Sequence, residues 1–299
     1  MAEVTKRYAV VTGANKGIGL EICKQLAQNG ITVVLTARDE KRGVEALQSL
    51  KQSGLPDLLF HQLDVADPES IASLADFVNK QFGKLDILVN NAGILGATFS
   101  VPPGSEVNSI NVWSYRVENY ELAEECLNIN YYGAKRTAEA LIPLLQLSDL
   151  PRIVNVSSRI VCVKPNGGDR LKEISTGLTT EEKLSEIISE YLRDFKEGTH
   201  ESNGWPTFLP AYTVSKVALN AYTRILANKY PDFCINCVCP GFAKTDINYN
   251  AGTTTVKEGA ETPVKLALLP KGGPSGLFFA EGEPVSPEFI STFPVSAAQ

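Results

Sequence analysis

Apolar positions in the first third of the chain fall into short continuous runs, "YAVVTG", "ITVVLTAR", "DLLFHQLDV" and "LDILVNNAG". Segments of helical periodicity such as "GIGLEICKQLAQNG" and "PESIASLADFVNKQFG" separate them. Runs of Val, Ile and Leu with no polar face are strands buried on both sides, and strands alternating with helices make a parallel sheet covered on two faces. The pattern resumes with a helix over "AEECLNINYYGAKRTAEALIPLLQ", a strand at "RIVNVSS", a helix holding "YTVSK", a strand at "CINCVCPG" and a late strand at "SGLFFA". The expected fold is α/β, a doubly wound seven-stranded parallel sheet of the Rossmann type. One domain covers 1–299, because no repeat or composition break marks a second.

Two stretches interrupt the alternation. The insertion 159–210 is too long for a plain connection and should carry structure of its own. Thr179 and Glu182 read as a capping box, after which Leu184, Ile187, Ile188, Tyr191, Leu192 and Phe195 share one helical face that must cover something apolar. The stretch "ILGATFSVPPGSEVNSINVWSYRVENYE" after "NNAG" is rich in Pro, Gly and Ser and reads as a loop.

Composition narrows the function. With 43% hydrophobic and 21% charged residues the chain is ordinary for a globular protein, and a net charge of −6 without a Lys/Arg block leaves no footprint for nucleic acid or an anionic membrane. No apolar run reaches the roughly 18 residues of a membrane span, and the N-terminal run is too short for a secretory signal, so a cytoplasmic location is expected. The six cysteines form no spaced framework. "CINCVC", Cys234 to Cys239, has neither His61 nor His200 near it in sequence and reads as small buried residues on a strand, with no metal expected.

Candidate chemistry begins at "TGANKGIG", where Gly13, Gly17 and Gly19 lie between the first strand and a helix. Glycines let backbone approach a pyrophosphate, and the helix N-terminus favours its charge. After the second strand, where an acid would bind the ribose 2′-hydroxyl of NADH, stands Arg38. Lys16 lies inside the glycine turn. Two cations in place of a carboxylate favour NADPH. Tyr212 and Lys216, one helical turn apart, read either as a lysine stem lying along a half-buried ring or as a phenol beside a cation that moves a proton.

Taken together, "TGANKGIG", "LDV" with Asp64, "NNAG" at 90–93, "NINYYG" with Asn130, "IVNVSS" with Ser158, "YTVSK" and "PGFAKT" at 240–245 resemble the short-chain dehydrogenase/reductase family, in order and along about nine-tenths of the chain. The long interval between Ser158 and Tyr212 departs from most of that family. It looks like the monomeric carbonyl reductases, most of all the plant branch with salutaridine and menthone reductases. The resemblance implies a catalytic tetrad of Asn130, Ser158, Tyr212 and Lys216. It places Gly13, Asn15, Lys16, Gly17, Ile18, Gly19, Arg38, Asp64, Val65, Asn90, Ala92, Gly93, Pro240, Gly241 and Thr245, with Tyr212 and Lys216, along the dinucleotide. The pair at 212 and 216 then reads as catalytic.

A lysine about 4 Å from the phenol would favour the phenolate by roughly 4 kcal/mol at an effective dielectric near 20. Tyr212 would give its proton to a carbonyl oxygen as hydride reaches the carbon, Ser158 would hydrogen-bond the oxyanion, and Asn130 would order a water linking Lys216 to solvent. The expected activity is NADPH-dependent reduction of a ketone to a secondary alcohol by a monomer. Enone reduction, NADP-dependent alcohol oxidation and a non-catalytic dinucleotide sensor are the alternatives. Retention of Tyr212 favours the ketone, because an enone reductase of that plant branch has an acidic residue there. Trp113, Trp205, Phe208 and Phe242 suit a bulky apolar small-molecule carbonyl substrate of plant secondary metabolism, or else belong to the core.

Overall fold

The computed structural model describes residues 6–102, 104, 111–162, 171, 174, 175 and 179–286. Parts of the loop after "NNAG" and of the insertion 159–210 lie outside the described residues. Strands β1 (Tyr8–Val11), β2 (Thr32–Ala37), β3 (Leu58–Gln62) and β4 (Ile87–Asn90) are joined by α1 (Gly17–Gln28), α2 (Glu40–Gln52) and α3 (Pro68–Phe82). The side chains of Asp39 and Asp67 cap α2 and α3 by accepting backbone N–H bonds, and Pro68 opens α3, where a missing N–H costs nothing.

The stretch after β4 is not all loop: β5 (Thr98–Phe99) and β6 (Arg116–Val117) form a two-stranded antiparallel ribbon beside a single turn at Asn111–Tyr115. Then come α4 (Tyr120–Leu127) and α5 (Ala134–Leu145), joined by a π-turn over Asn128–Gly133 where the periodicity suggests one unbroken helix. After β7 (Arg152–Val156) follow α6 (Glu181–Lys196) in the insertion, α7 (Pro210–Lys229), β8 (Cys234–Cys239), α8 (Val256–Ala267), β9 (Phe278–Ala280) and β10 (Glu283–Val285).

The sheet runs β10–β9–β8–β7–β4–β1–β2–β3, with the seven strands from β9 to β3 parallel, as expected. The sequence reading lacks β10. It pairs antiparallel with β9 through a two-residue turn, Glu281 and Gly282, both at positive φ, and glutamate at such a position is no hairpin signal. One apolar cluster fills the side of α3, α5, α6 and α7, and another the side of α1, α2 and α8. All six residues of "CINCVC" are buried within β8.

Helix α6 starts one residue later than the capping box implies. Thr180 is extended (φ −108°) and accepts the Lys183 N–H, so the cap is Thr180 and not Thr179. The apolar face is the expected one: Leu184, Ile187, Ile188 and Tyr191 are buried, and Leu192 and Phe195 pack half-buried beside them. It lies on α7 and α4. Trp205 is fully buried against Tyr191 and donates from Nε1 to Asp194 Oδ2 (2.9 Å), which makes it core of the insertion rather than substrate wall.

Candidate active site

Strand order reverses between β1 and β4: the chain builds outward to β3, then crosses back to β4 on the other side of β1. Loops leaving the C-terminal ends of these strands diverge there and open a crevice, the usual ligand position in a doubly wound sheet. Gly13 follows β1, Arg38 follows β2, Asp64 lies just past β3, Asn90 ends β4, Ser158 lies just past β7 and Pro240 follows β8. These six are therefore carried to the C-terminal end of the parallel sheet.

In the glycine turn, Gly13 (φ 62°) and Gly17 (φ 58°) occupy the left-handed region, and a side chain on Gly13 would meet Ala92 Cα at 2.8 Å. The turn is tied to "NNAG" by a contact the sequence reading misses. Thr12 Oγ1 accepts the N–H groups of Asn91 (2.9 Å) and Ala92 (3.0 Å), while Asn91 Nδ2 donates to the carbonyls of Thr12 and Gly13. A polar residue just before the first glycine and a second Asn in "NNAG" were the available signals. Asn15 and Ile18 are half-buried in the turn, and Ile18 packs on the α1 side of the core. This cradle of small residues at a helix N-terminus fits the diphosphate of a dinucleotide.

Arg38 is exposed directly after β2, its carbonyl accepting from Gln62 Nε2 (3.2 Å). Lys16 Nζ pairs with Asp246 Oδ2 at 2.5 Å. Asp64 Oδ1 accepts the Ala66 N–H, and Val65 is buried against Gly133. Asn90 turns inward: its Nδ2 donates to Asn155 Oδ1 (2.9 Å), and Asn155 Nδ2 donates to Thr223 Oγ1 (2.9 Å), a buried chain joining β4, β7 and α7. Gly241 (φ 79°) and Pro240 carry the chain over α8 to Thr245, whose methyl lies 3.5 Å from the position a Gly17 side chain would take.

The tetrad assembles from three segments. Helix α7 is entered through Leu209 in the left-handed region (φ 46°), a strained conformation for leucine, followed by Pro210 in the first turn. Tyr212 is hydrogen-bonded to the Ser158 side chain. Burial pushes the phenol well above its usual range, the Ser158 bond opposing in part. Lys216 is 4% exposed, donates from Nζ to the Val156 carbonyl (2.8 Å), and stands 5.5 Å from the centre of the Tyr212 ring. Burial pushes it down to about 8, against the nearby Cys126 and Cys239 thiols. The shift of the Tyr212 phenol is therefore upward, with loss of solvent as its largest cause, and not the depression expected from an adjacent lysine.

Asn130 lies in the π-turn and clamps the "NNAG" loop. Its Oδ1 accepts the Ile94 N–H (2.8 Å), and its Nδ2 donates to the Ile94 carbonyl (2.8 Å), Ser215 Oγ (3.0 Å) and Cys126 Sγ (3.2 Å). Ser215 Oγ donates in turn to the Tyr212 carbonyl (2.7 Å). Ser215 and Cys126 are positioning residues that the motif reading passes over. A methyl on Gly93 would stand 3.2 Å from Asn130 Oδ1 and 3.5 Å from Lys216 Nζ, so a side chain there would crowd both polar groups.

Rings from four segments touch in series. Tyr249 packs on Phe99 (4.6 Å), Phe99 on Trp113 (5.8 Å), and Trp113 on Phe208 (5.9 Å), with Arg116 over Phe208 (5.1 Å). Phe242 is half-buried in the same post-β8 segment.

The chain matches the short chain dehydrogenase family over residues 7–168. It is 55% identical over 289 residues to (+)-neomenthol dehydrogenase of Arabidopsis thaliana, covering 94% of this chain and 98% of the relative. The solved structure of salutaridine reductase from Papaver somniferum superposes with a TM-score of 0.86 at 51% identity, covering 92% of this chain and 99% of that one. Menthone neomenthol reductase from Mentha piperita gives 0.84 at 48% identity, over 94% and 100% of the two chains. With the seven parallel strands, the glycine turn and the Ser, Tyr and Lys convergence, these matches establish that the chain is an oxidoreductase belonging to the short-chain dehydrogenase/reductase family, whose members bind a nicotinamide dinucleotide.

Proposed function

We propose that this protein reduces a ketone on a bulky apolar molecule, terpenoid- or alkaloid-like, to a secondary alcohol with NADPH, acting as a cytosolic monomer. The observation that carries this reading is Tyr212, half-buried, bonded to Ser158 and one helical turn from Lys216. A phenol within reach of the carbonyl oxygen is a proton donor, which is what carbonyl reduction requires.

The glycine turn, Thr245 and the loop of Ala92 and Gly93 hold the dinucleotide, and Arg38 with Lys16 binds its 2′-phosphate. The reduced nicotinamide, when bound, supplies hydride to the carbonyl carbon. Tyr212 donates its proton to the carbonyl oxygen, and Ser158 stabilises the charge developing there. Lys216, with a pKa of about 8, is protonated at neutral pH and replenishes the phenol. The series Tyr249, Phe99, Trp113 and Phe208 supplies large rigid apolar faces, and relatives named for neomenthol and salutaridine support a polycyclic or cyclic ketone.

A panel of cyclic ketones and enones tests this, with oxidation of NADPH and NADH followed by absorbance and the products identified. Secondary alcohols formed with NADPH far ahead of NADH are the expected result. A saturated ketone without alcohol would reassign the enzyme as an enone reductase. Tight NADPH binding with no oxidation by any carbonyl would make it a sensor.

A further inference from the structure

Lys16, one of the two cations assigned above to the 2′-phosphate, already has an anionic partner in Asp246. The pair joins opposite walls of the crevice. Lys16 belongs to the glycine turn after β1, and Asp246 opens the short turn that follows Thr245. That turn is stiff: Thr245 and Asn248 cap it reciprocally, and the N–H groups of Asn248, Tyr249, Asn250 and Ala251 are all bonded within it. Its next residues, Ile247 and Tyr249, are exposed apolar side chains, and the Tyr249 ring lies on Phe99 in the aromatic series.

Carboxylate and phosphate are both oxyanions, and a lysine ammonium binds either as a point charge without a fixed fork. The Lys16 and Asp246 side chains are 58% and 65% exposed, so little desolvation opposes an exchange of partners and the pair itself is weak. We infer that Asp246 is an internal competitor for the cofactor's 2′-phosphate. It holds Lys16 until a 2′-phosphorylated nucleotide takes the lysine and frees the carboxylate. The inference rests on the NADPH reading of Lys16. It adds that Asp246 lowers affinity for 2′-phosphates.

Calorimetric titration with adenosine 2′-monophosphate and adenosine 5′-monophosphate separates the two, using the wild type, Asp246→Asn, Lys16→Gln and the double variant. Asp246→Asn should bind the 2′-phosphate about two- to fivefold more tightly, the range expected for loss of an exposed ion pair, with the 5′-phosphate unchanged. Lys16→Gln should weaken 2′-phosphate binding and abolish the effect of Asp246→Asn. A wild type that prefers the 2′-phosphate while Asp246→Asn binds it no better, or a gain that persists without Lys16, overturns the exchange and leaves the NADPH reading standing. A wild type indifferent to the position of the phosphate removes both.

Discussion

Burial moves the two residues of the pair in opposite directions, Tyr212 up and Lys216 down. Tyr212→Phe should lower ketone reduction by at least about a hundredfold, the lower end of general-acid contributions, while the Kd for NADPH changes little; turnover kept within tenfold would show that another group donates the proton. Lys216 has its pKa lowered from 10.5 to about 8, so at neutral pH the fold tolerates a buried cation whose charge is better solvated in the unfolded chain. Removing it should raise stability while ending turnover. The pH dependence follows from the direction of the shift. Between about 8 and 10.5 the unfolded chain binds a proton at this site that the folded chain does not, and wild-type stability rises with pH across that window. The advantage of Lys216→Met in chemical denaturation should thus be largest at pH 7 and shrink by pH 9.5. An advantage that grows with pH would mean that Lys216 is stabilised by a partner rather than penalised by burial. The roles implied for these residues were legible because spacing and order carry them. The direction of the Tyr212 shift was not, since a linear sequence shows the cation four residues away but not the wall of apolar side chains that outweighs it.

Among the elements, the parallel strands were readable from their two-sided apolar runs, and α6 from its single apolar face. What escaped was set by geometry that residue type does not encode. The π-turn at Asn128–Gly133 leaves helical periodicity almost intact while turning Asn130 onto Ile94. The choice of Thr180 over Thr179 depends on which of two adjacent threonines is extended. Trp205 could not be told from a substrate-facing ring until Asp194 stood within 2.9 Å of its indole nitrogen. That bond gives α6 a testable anchor. Trp205→Phe keeps most of the apolar area but removes the donor from a buried carboxylate, which should cost about 1.5–3 kcal/mol in chemical denaturation, the range for a hydrogen bond to a charged group. Pairing it with Asp194→Leu should recover most of the loss, because neither partner is then left unsatisfied. If the double variant is as unstable as the sum of its parts, the ring and not the hydrogen bond holds the insertion.

At the scale of the whole molecule, the same helix is the basis for proposing a monomer. In the family resembled, subunits commonly pair through the helices that hold the Asn and the Tyr of the tetrad, here the α4–α5 segment and α7. Helix α6 lies on α4 and α7 with Leu184, Ile187, Ile188 and Tyr191 buried, and Lys135 of α5 pairs with Glu181 at its start. The surface that a second subunit would use is already covered from within the chain. What α6 shows outward is charged: Lys183 with Glu186 and Glu190 with Arg193 form exposed or half-exposed pairs at helical spacing, the composition that interface centres avoid. Sedimentation at micromolar concentration should therefore give one species near 32.4 kDa. A dimer would show that another surface pairs. The cover itself is probed by Ile188→Asp, which places a charge in the middle of the buried face. The helix should lift, expose the apolar surface of α4 and α7, and shift the protein to dimers or larger species as concentration rises. If Ile188→Asp stays monomeric while its stability falls, α6 contributes to the core without being what keeps the chain single.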